Sequence, residues 1–394
     1  MAIADNCKDL LEVDLTKCSI SSQSISLFWK KGINTREVRI GQCALIDDSA
    51  FPQSTINQSL SNYHYSITNQ PTIKHFEVLR YIDLTSCTLI TDEAIKRIIT
   101  HAPKVRNLVL AKCSNLTDVA VKHISKLGKA LHSLHLGHVA NITDESIIVL
   151  ARMCTRIRYI DLACCPNLTD SSIIEISRNM PKLKRIGLVR VNNISDISII
   201  SLCDRYNQLE RIHLSYCEKI TVDAIHVLVS RLQKLTHLSL SGIPDFRRPE
   251  LQKFCRPPPK EFSDHQRQVF CVFSGKGIHD LRNFMVEEYE RKKRSIFFED
   301  YSPTSINNGN DHDYLFNSSN NNANDLLQRI SSSPSRSIND SSFGNLLDEN
   351  DVRRGRHNRL LGALGLSSTS SPTNINSNSD DQLNRRNINN YYNR

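Results

Sequence analysis

Leu79–Cys87 reads LRYIDLTSC, and the same phrase returns without gaps as Val105–Cys113 (VRNLVLAKC), Leu131–Val139 (LHSLHLGHV), Ile157–Cys165 (IRYIDLACC), Leu183–Val191 (LKRIGLVRV), Leu209–Cys217 (LERIHLSYC) and Leu235–Ile243 (LTHLSLSGI). Successive starts are 26 residues apart. Two earlier copies, Leu10–Cys18 (LLEVDLTKC) and Thr35–Cys43 (TREVRIGQC), fit as well, with about 18 extra residues before the third. Within each phrase x-L-x-L-x alternates with period two, so the fourth and sixth positions point inward and the third, fifth and seventh outward. After the ninth position comes a second block, such as TLITDEAIKRII or PNLTDSSIIEIS. There Thr/Ser–Asp caps a helix whose apolar residues recur at three- and four-residue spacing. One strand and one helix per 26 residues make one coil of a stack, and no coil buries its apolar face without its neighbours.

The pattern L-x-x-L-x-L-x-x-C is the signature of a leucine-rich repeat. The predicted fold is an α/β horseshoe solenoid with parallel strands on the concave side and helices outside. At least nine repeats occupy 1–250, a C-terminal cap 251–290 and a disordered tail 291–394. The Pro-rich stretch Arg256-Pro-Pro-Pro breaks the repeat, and Gln266–Met285 supplies an apolar strand, a glycine turn and a helix for the cap. From Glu299 onward 20 Asn and 17 Ser leave too little apolar surface to fold. Ser302, Ser333 and Ser371 each precede a proline there and are candidate phosphorylation sites, and the basic cluster Arg291–Arg294 reads first as a solvated helix end and second as a nuclear-import signal. Residues 2–9 fall where other copies end a helix, so the chain is expected to begin inside a repeat. The native protein is then expected to continue upstream, or the chain is a truncated product or gene model.

Six of the twelve cysteines (Cys18, Cys43, Cys87, Cys113, Cys165 and Cys217) occupy the ninth motif position, which Val139, Val191 and Ile243 fill elsewhere. A place that accepts valine uses cysteine as a small buried hydrophobe, so neither zinc nor catalysis is expected of them. With no secretory signal, reduced thiols in the cytoplasm or nucleus are expected. Asn115, Asn141, Asn167 and Asn193 begin glycosylation sequons but share one repeat phase ahead of a helix, which argues for a structural role. His132, His135 and His138 are spaced H-x-x-H-x-x-H, and a three-residue step on a strand changes face, so a shared metal is not expected. No nucleophile elbow, metalloprotease helix or complete phosphate loop occurs, and the expected protein is non-catalytic, without cofactor or metal. No run of eighteen apolar residues suggests a membrane span.

Residues 1–286 hold 37 basic against 27 acidic side chains, and the remainder is close to neutral. The excess gathers on the outward positions of the late coils: Arg185, Arg190, Arg211, His213 and His237, with no acidic residue on that face from Arg185 onward. Guanidinium forks suit phosphate, and a concave wall focuses their field. Small residues between them, Gly187 and Ser215 among others, are expected to leave room for a ligand backbone. Lys17, Arg39, Lys112, His135, His138, Tyr159 and Tyr216 extend the same face over the other coils. The site therefore reads as one for phosphate or acidic peptide, or as the plain polar wall every horseshoe has. Nucleic acid is not the expected partner, because the basic face is short and offers few tyrosines for stacking.

The cysteine-ending strands, the TD-containing helices, and above all "CTRIRYIDLACC", "PKLKRIGLVR" and "CRPPPKEFSDHQRQVFCVFSGKGIHDLR" resemble the fungal F-box/leucine-rich-repeat receptors of SCF ubiquitin ligases, of the glucose-repression-resistant type. The resemblance covers about residues 1–286. It implies a substrate-recognition subunit that binds phosphorylated proteins, including G1 cyclins and regulators of nutrient signalling, on its basic concave face. Those clients would be held for ubiquitination and degradation, with Arg185, Arg190 and Arg211 as the phosphate-binding residues and Lys112, Lys17 and Arg39 beside them. It also implies partners, the Skp adaptor and a cullin, that are reached through an F-box ahead of the repeats, a segment not found in this chain. A repeat scaffold without a ubiquitin role is the competing reading.

Overall fold

Each copy of the motif supplies one three-residue strand: β1 (Glu12–Asp14), β2 (Glu37–Arg39), β3 (Tyr81–Asp83), β4 (Asn107–Val109), β5 (Ser133–His135), β6 (Tyr159–Asp161), β7 (Arg185–Gly187), β8 (Arg211–His213) and β9 (His237–Ser239). They pair in sequence order, in parallel, with third position opposite third and fifth opposite fifth. The helices are α1 (Ser22–Lys31), α2 (Asp92–His101), α3 (Asp118–Ser125), α4 (Asp144–Met153), α5 (Asp170–Asn179), α6 (Asp196–Cys203) and α7 (Val222–Arg231); among the described residues the second coil has the short 3-10 turn Asp48–Ala50. The computed structural model describes residues 7, 9–31, 34–53, 76–204 and 208–299, all inside one unit, Met1–Ile306. The extra residues before the third coil, for the most part, and the expected tail beyond Glu299 lie outside the described residues. The architecture is an α/β leucine-rich-repeat solenoid.

Fourth- and sixth-position side chains stack into one continuous core, with Ile82, Leu108, Leu134, Ile160, Ile186, Ile212 and Leu238 fully buried. Polar groups hold the coils in register at three further places. The thiols of Cys43, Cys87, Cys113, Cys165 and Cys217 donate to the sixth-position carbonyl of the preceding coil at 3.0–3.4 Å. Burial pushes the Cys87 thiol up to about 11 and that of Cys217 up to about 12, so both stay protonated. At the eighth position Lys17, Gln42, Ser86, Lys112, His138, Cys164, Arg190 and Tyr216 all adopt left-handed backbone, φ 57–64°. Their N–H groups reach the next coil's seventh-position carbonyl at 2.6–3.0 Å, extending the strand ladder by one rung and holding a conformation that costs roughly 1–2 kcal/mol for a side chain. On the helix side, the amides of Asn115, Asn141, Asn167 and Asn193 donate to the previous coil at 2.9–3.0 Å, which explains why the sequon asparagines share one phase.

The cap closes the stack differently. After α8 (Pro249–Gln252) and α9 (Asp264–Val269), β10 (Val272–Ser274) joins β9 antiparallel and turns at Gly275 into α10 (Lys276–Glu299). This last helix packs on α7, where the Arg282 guanidinium donates to the carbonyls of Val229 (2.6 Å) and Leu232 (3.2 Å). It runs past the expected cap boundary at residue 290 and carries Arg291–Arg294 on exposed positions. No helix among the described residues is long and apolar enough to cross a membrane.

Candidate functional site

Register alone brings the key residues together. Arg185 stands opposite Arg211, and Arg211 opposite His237, on the outward face of β7, β8 and β9. Parallel neighbours lie about 4.8 Å apart, and like charges directly opposite destabilise a sheet. Neither guanidinium makes a hydrogen bond or ion pair among the described residues, and a carboxylate reaches them only at longer range: Glu210 is held below its usual value first by Lys184 and then also by Arg185 and Arg211. Glu210 is next in sequence to Arg211, but its carboxylate is bound to Lys184 at 2.5 Å. His213 sits one position further along β8, its ring 4.9 Å from that of His237.

The electrostatics of the histidines report the field around them. Burial, and then His237, Arg211, Arg256 and Arg185, push His213 down to about 3. Burial, and then Arg256, Arg211 and Arg185, push His237 down to about 4. Both rings are neutral near pH 7, so the expectation that they add positive charge is corrected: they line the floor as neutral hydrogen-bonding groups. Nε2 of His237 is buried without a hydrogen-bond partner among the described residues. Such a nitrogen costs about 1–3 kcal/mol until something bonds it. Arg256 is the residue the sequence reading missed. It lies in the Pro-rich break, outside the repeat period, and its N–H donates to the Val272 carbonyl at 2.9 Å, which sets it beside β10 and the histidine pair.

The other candidates divide by position. Arg190 and Tyr216 occupy successive eighth positions on the rim of the same coils, the guanidinium 4.8 Å from the ring centroid. Lys112 and His138 hold the same rim position three and two coils before Arg190, and burial lowers the Lys112 ammonium. His135 and Tyr159 meet edge to face at 4.3 Å in mid-wall, burial taking His135 down to about 4. Lys17 is exposed on the first coil, remote in the stack from β7–β9. Arg39 is not free for a ligand: it is hydrogen-bonded to the Glu37 carboxylate and lies 4.7 Å from the Tyr81 ring centroid.

Small residues on the wall prove to serve neighbours. A Cβ on Gly187 would stand 2.4 Å from Asp161 Oδ1, and one on Gly242 would stand 2.3 Å from the Tyr216 ring. Eight other residues tolerate the backbone of Gly242, so that glycine is needed for the tyrosine ring. Ser215 and Ser239 hydrogen-bond each other at 2.5 Å and are buried. The expected room for a ligand backbone is thus occupied, and a ligand must rest on the arginines and histidines. Asp161 is a second missed residue, a buried carboxyl from β6 that leans beneath Gly187. Among the described residues no three His, Cys, Asp or Glu side chains converge as metal ligands do.

Fold and site together define a leucine-rich-repeat protein with an arginine row on its inner wall whose guanidinium groups have no direct carboxylate partner among the described residues. No family model matches the chain. Among solved structures it is similar to the crystal structure of the Rad7 and Elc1 complex in yeast, at 16% identity and TM-score 0.37, over 60% of this chain and 77% of that one. It is also similar to an internalin (inlF) from Listeria monocytogenes str. 4b F2365, at 15% identity and TM-score 0.36, over 62% of this chain and 82% of that one.

Proposed function

We propose that the solenoid is a non-catalytic receptor that captures phosphorylated proteins on β7–β9, as the substrate-recognition subunit of an SCF-type ubiquitin ligase. One observation carries the phosphate assignment: Arg185 and Arg211 stand side by side in register, and among the described residues no carboxylate is hydrogen-bonded or ion-paired to either guanidinium. A phosphate ester brings close to two negative charges and three acceptor oxygens, which match two guanidinium forks. Arg256 adds to the field from the cap side, and the neutral His237 offers its Nε2 to a remaining oxygen. Arg190, propped against Tyr216, lines the rim along which the client peptide would leave the site.

The ubiquitin role rests on the sequence resemblance. By it the clients are G1 cyclins and regulators of nutrient signalling, held here while a conjugating enzyme elsewhere in the assembly transfers ubiquitin. Adaptor and cullin would be engaged through an F-box outside these 394 residues. The exposed Arg291–Arg294 cluster supports a distribution between cytoplasm and nucleus.

Binding of a fluorescent peptide in phosphorylated and unphosphorylated forms tests the phosphate assignment. Two charge-assisted contacts of about 1.5–3 kcal/mol each predict a preference on the order of 100-fold or more. Raising salt should weaken it, since the site is open to solvent. Equal affinity for both peptides would overturn the proposal. Phosphate preference without client ubiquitination by the reconstituted ligase would leave the scaffold reading.

A further inference from the structure

The cap brings together two cysteines that the repeat does not account for. Cys255 follows α8 and Cys271 precedes β10, and their Sγ atoms are 3.7 Å apart, within a shared hydrogen bond. The backbone keeps them adjacent. Cys271 donates its N–H to Ser241 Oγ at 3.0 Å and accepts at its carbonyl from Leu240 N–H at 2.8 Å. Arg256 N–H reaches the Val272 carbonyl at 2.9 Å. Cys271 is buried, whereas Cys255 is only partly covered. Unlike the ninth-position thiols of Cys43, Cys87, Cys113, Cys165 and Cys217, which each donate to a carbonyl of the coil before, these two face each other at the edge of the core.

We propose that Cys255 and Cys271 form a reversible disulfide on reaction with a hydroperoxide. Cys255 is the attacking sulfur: it is the reachable one, and the hydrogen bond it shares with Cys271 holds its thiol below the ordinary range, while the same contact pushes the Cys271 thiol up. The Cys255 thiolate attacks one peroxide oxygen, the O–O bond breaks, and the departing oxygen leaves as water (or alcohol) after taking a proton. Cys255 is then a sulfenic acid. The Cys271 sulfur attacks it, the S–O bond breaks, and the hydroxyl departs as water with the Cys271 proton. Two thiols have lost two electrons and two protons, and the peroxide has accepted them. Closing to about 2.05 Å shifts the sulfurs together by roughly 1.7 Å. Because Cys271 is bonded on both sides of its backbone, the movement falls on Cys255 and on Arg256 beside it. The disulfide therefore ties the cap segment carrying Arg256 to β10. This inference does not depend on the phosphate-binding reading.

The test is mass spectrometry of the reduced 394-residue chain after exposure to a small excess of hydrogen peroxide. The expected result is a loss of about 2 Da and, in a non-reducing digest, a peptide pair joined through Cys255 and Cys271 that dithiothreitol separates. Cys271→Ser should stop at a sulfenic acid on Cys255 that dimedone traps, and Cys255→Ser should abolish the link and leave Cys271 unmodified. Oxidation confined to the exposed Cys7 and Cys18, or sulfinic acid at Cys255 of the wild type without a link, would overturn the assignment.

Discussion

Asp83 and Asp161 hold the same position in near-identical strings, YIDLT and YIDLA, yet one hydroxyl separates their chemistry. Asp83 accepts from the N–H (2.8 Å) and Oγ1 (2.6 Å) of Thr85. Asp161 faces Ala163 and keeps only the backbone bond, at 3.1 Å. Burial, which that bond only partly offsets, pushes Asp161 up to about 6. An acid whose folded value exceeds its unfolded value, near 4, binds more protons when folded. Its contribution is therefore full below about pH 4 and is lost as pH rises through about 6, a loss of roughly 3 kcal/mol by linkage. Denaturant midpoints between pH 4 and 7 should show that decline in the wild type and its disappearance in Asp161→Asn. Gly187→Ala, which drives a Cβ into the same carboxyl, should cost about 1–3 kcal/mol by the same measurement, and the added change Asp161→Ala should restore most of it. Neither relation was legible beforehand, because both depend on side chains one coil away.

At the scale of elements, the Thr/Ser–Asp pairs show what local sequence reveals and what it hides. LTD before an amphipathic run reads as a cap, and Thr91 Oγ1 does accept from Glu93 N–H at the start of α2. The aspartate goes elsewhere. Asp48, Asp92, Asp118, Asp144, Asp170 and Asp196 each accept from the N–H (2.7–2.9 Å) and hydroxyl (2.5–2.7 Å) of the Thr or Ser one coil later. For Asp118, burial would raise the carboxyl, and the hydrogen bonds of Ser146 and Thr143 override it, leaving the group below its ordinary value. Removing one clamp in mid-stack, Asp144→Ala, should cost about 2–4 kcal/mol, because two or more charge-assisted bonds vanish and Thr169 loses its partner. Hydrogen exchange at the start of α5 should rise in that variant while β1–β3 stay protected. The strands and helices were legible from their two periodicities. The inter-coil bonds were not, since a partner 25 residues away is set by stacking. The antiparallel course of β10 escaped for a like reason: three apolar residues carry no direction.

At the scale of the molecule, the inner wall divides into ends of different character. Glu12, Asp14, Glu37 and Asp83 populate β1–β3, where Arg39 is already paired, and arginine dominates β7 and β8. The arginine row could be placed from sequence because those residues keep repeat phase, and phase fixes both face and register. The neutrality of His213 and His237 could not be read there, since it follows from burial and neighbouring guanidinium groups. Arg256 lies outside the period and becomes visible only when the cap folds back. A double-mutant cycle tests the row most directly: phosphorylated and unphosphorylated client peptide, each titrated against wild type and Arg185→Ala/Arg211→Ala. If the row holds the phosphate, the preference for the phosphorylated peptide falls from on the order of 100-fold to within a few-fold in the variant, with affinity for the unphosphorylated peptide little changed. A variant that loses affinity for both peptides alike, keeping the full preference, would place the phosphate elsewhere.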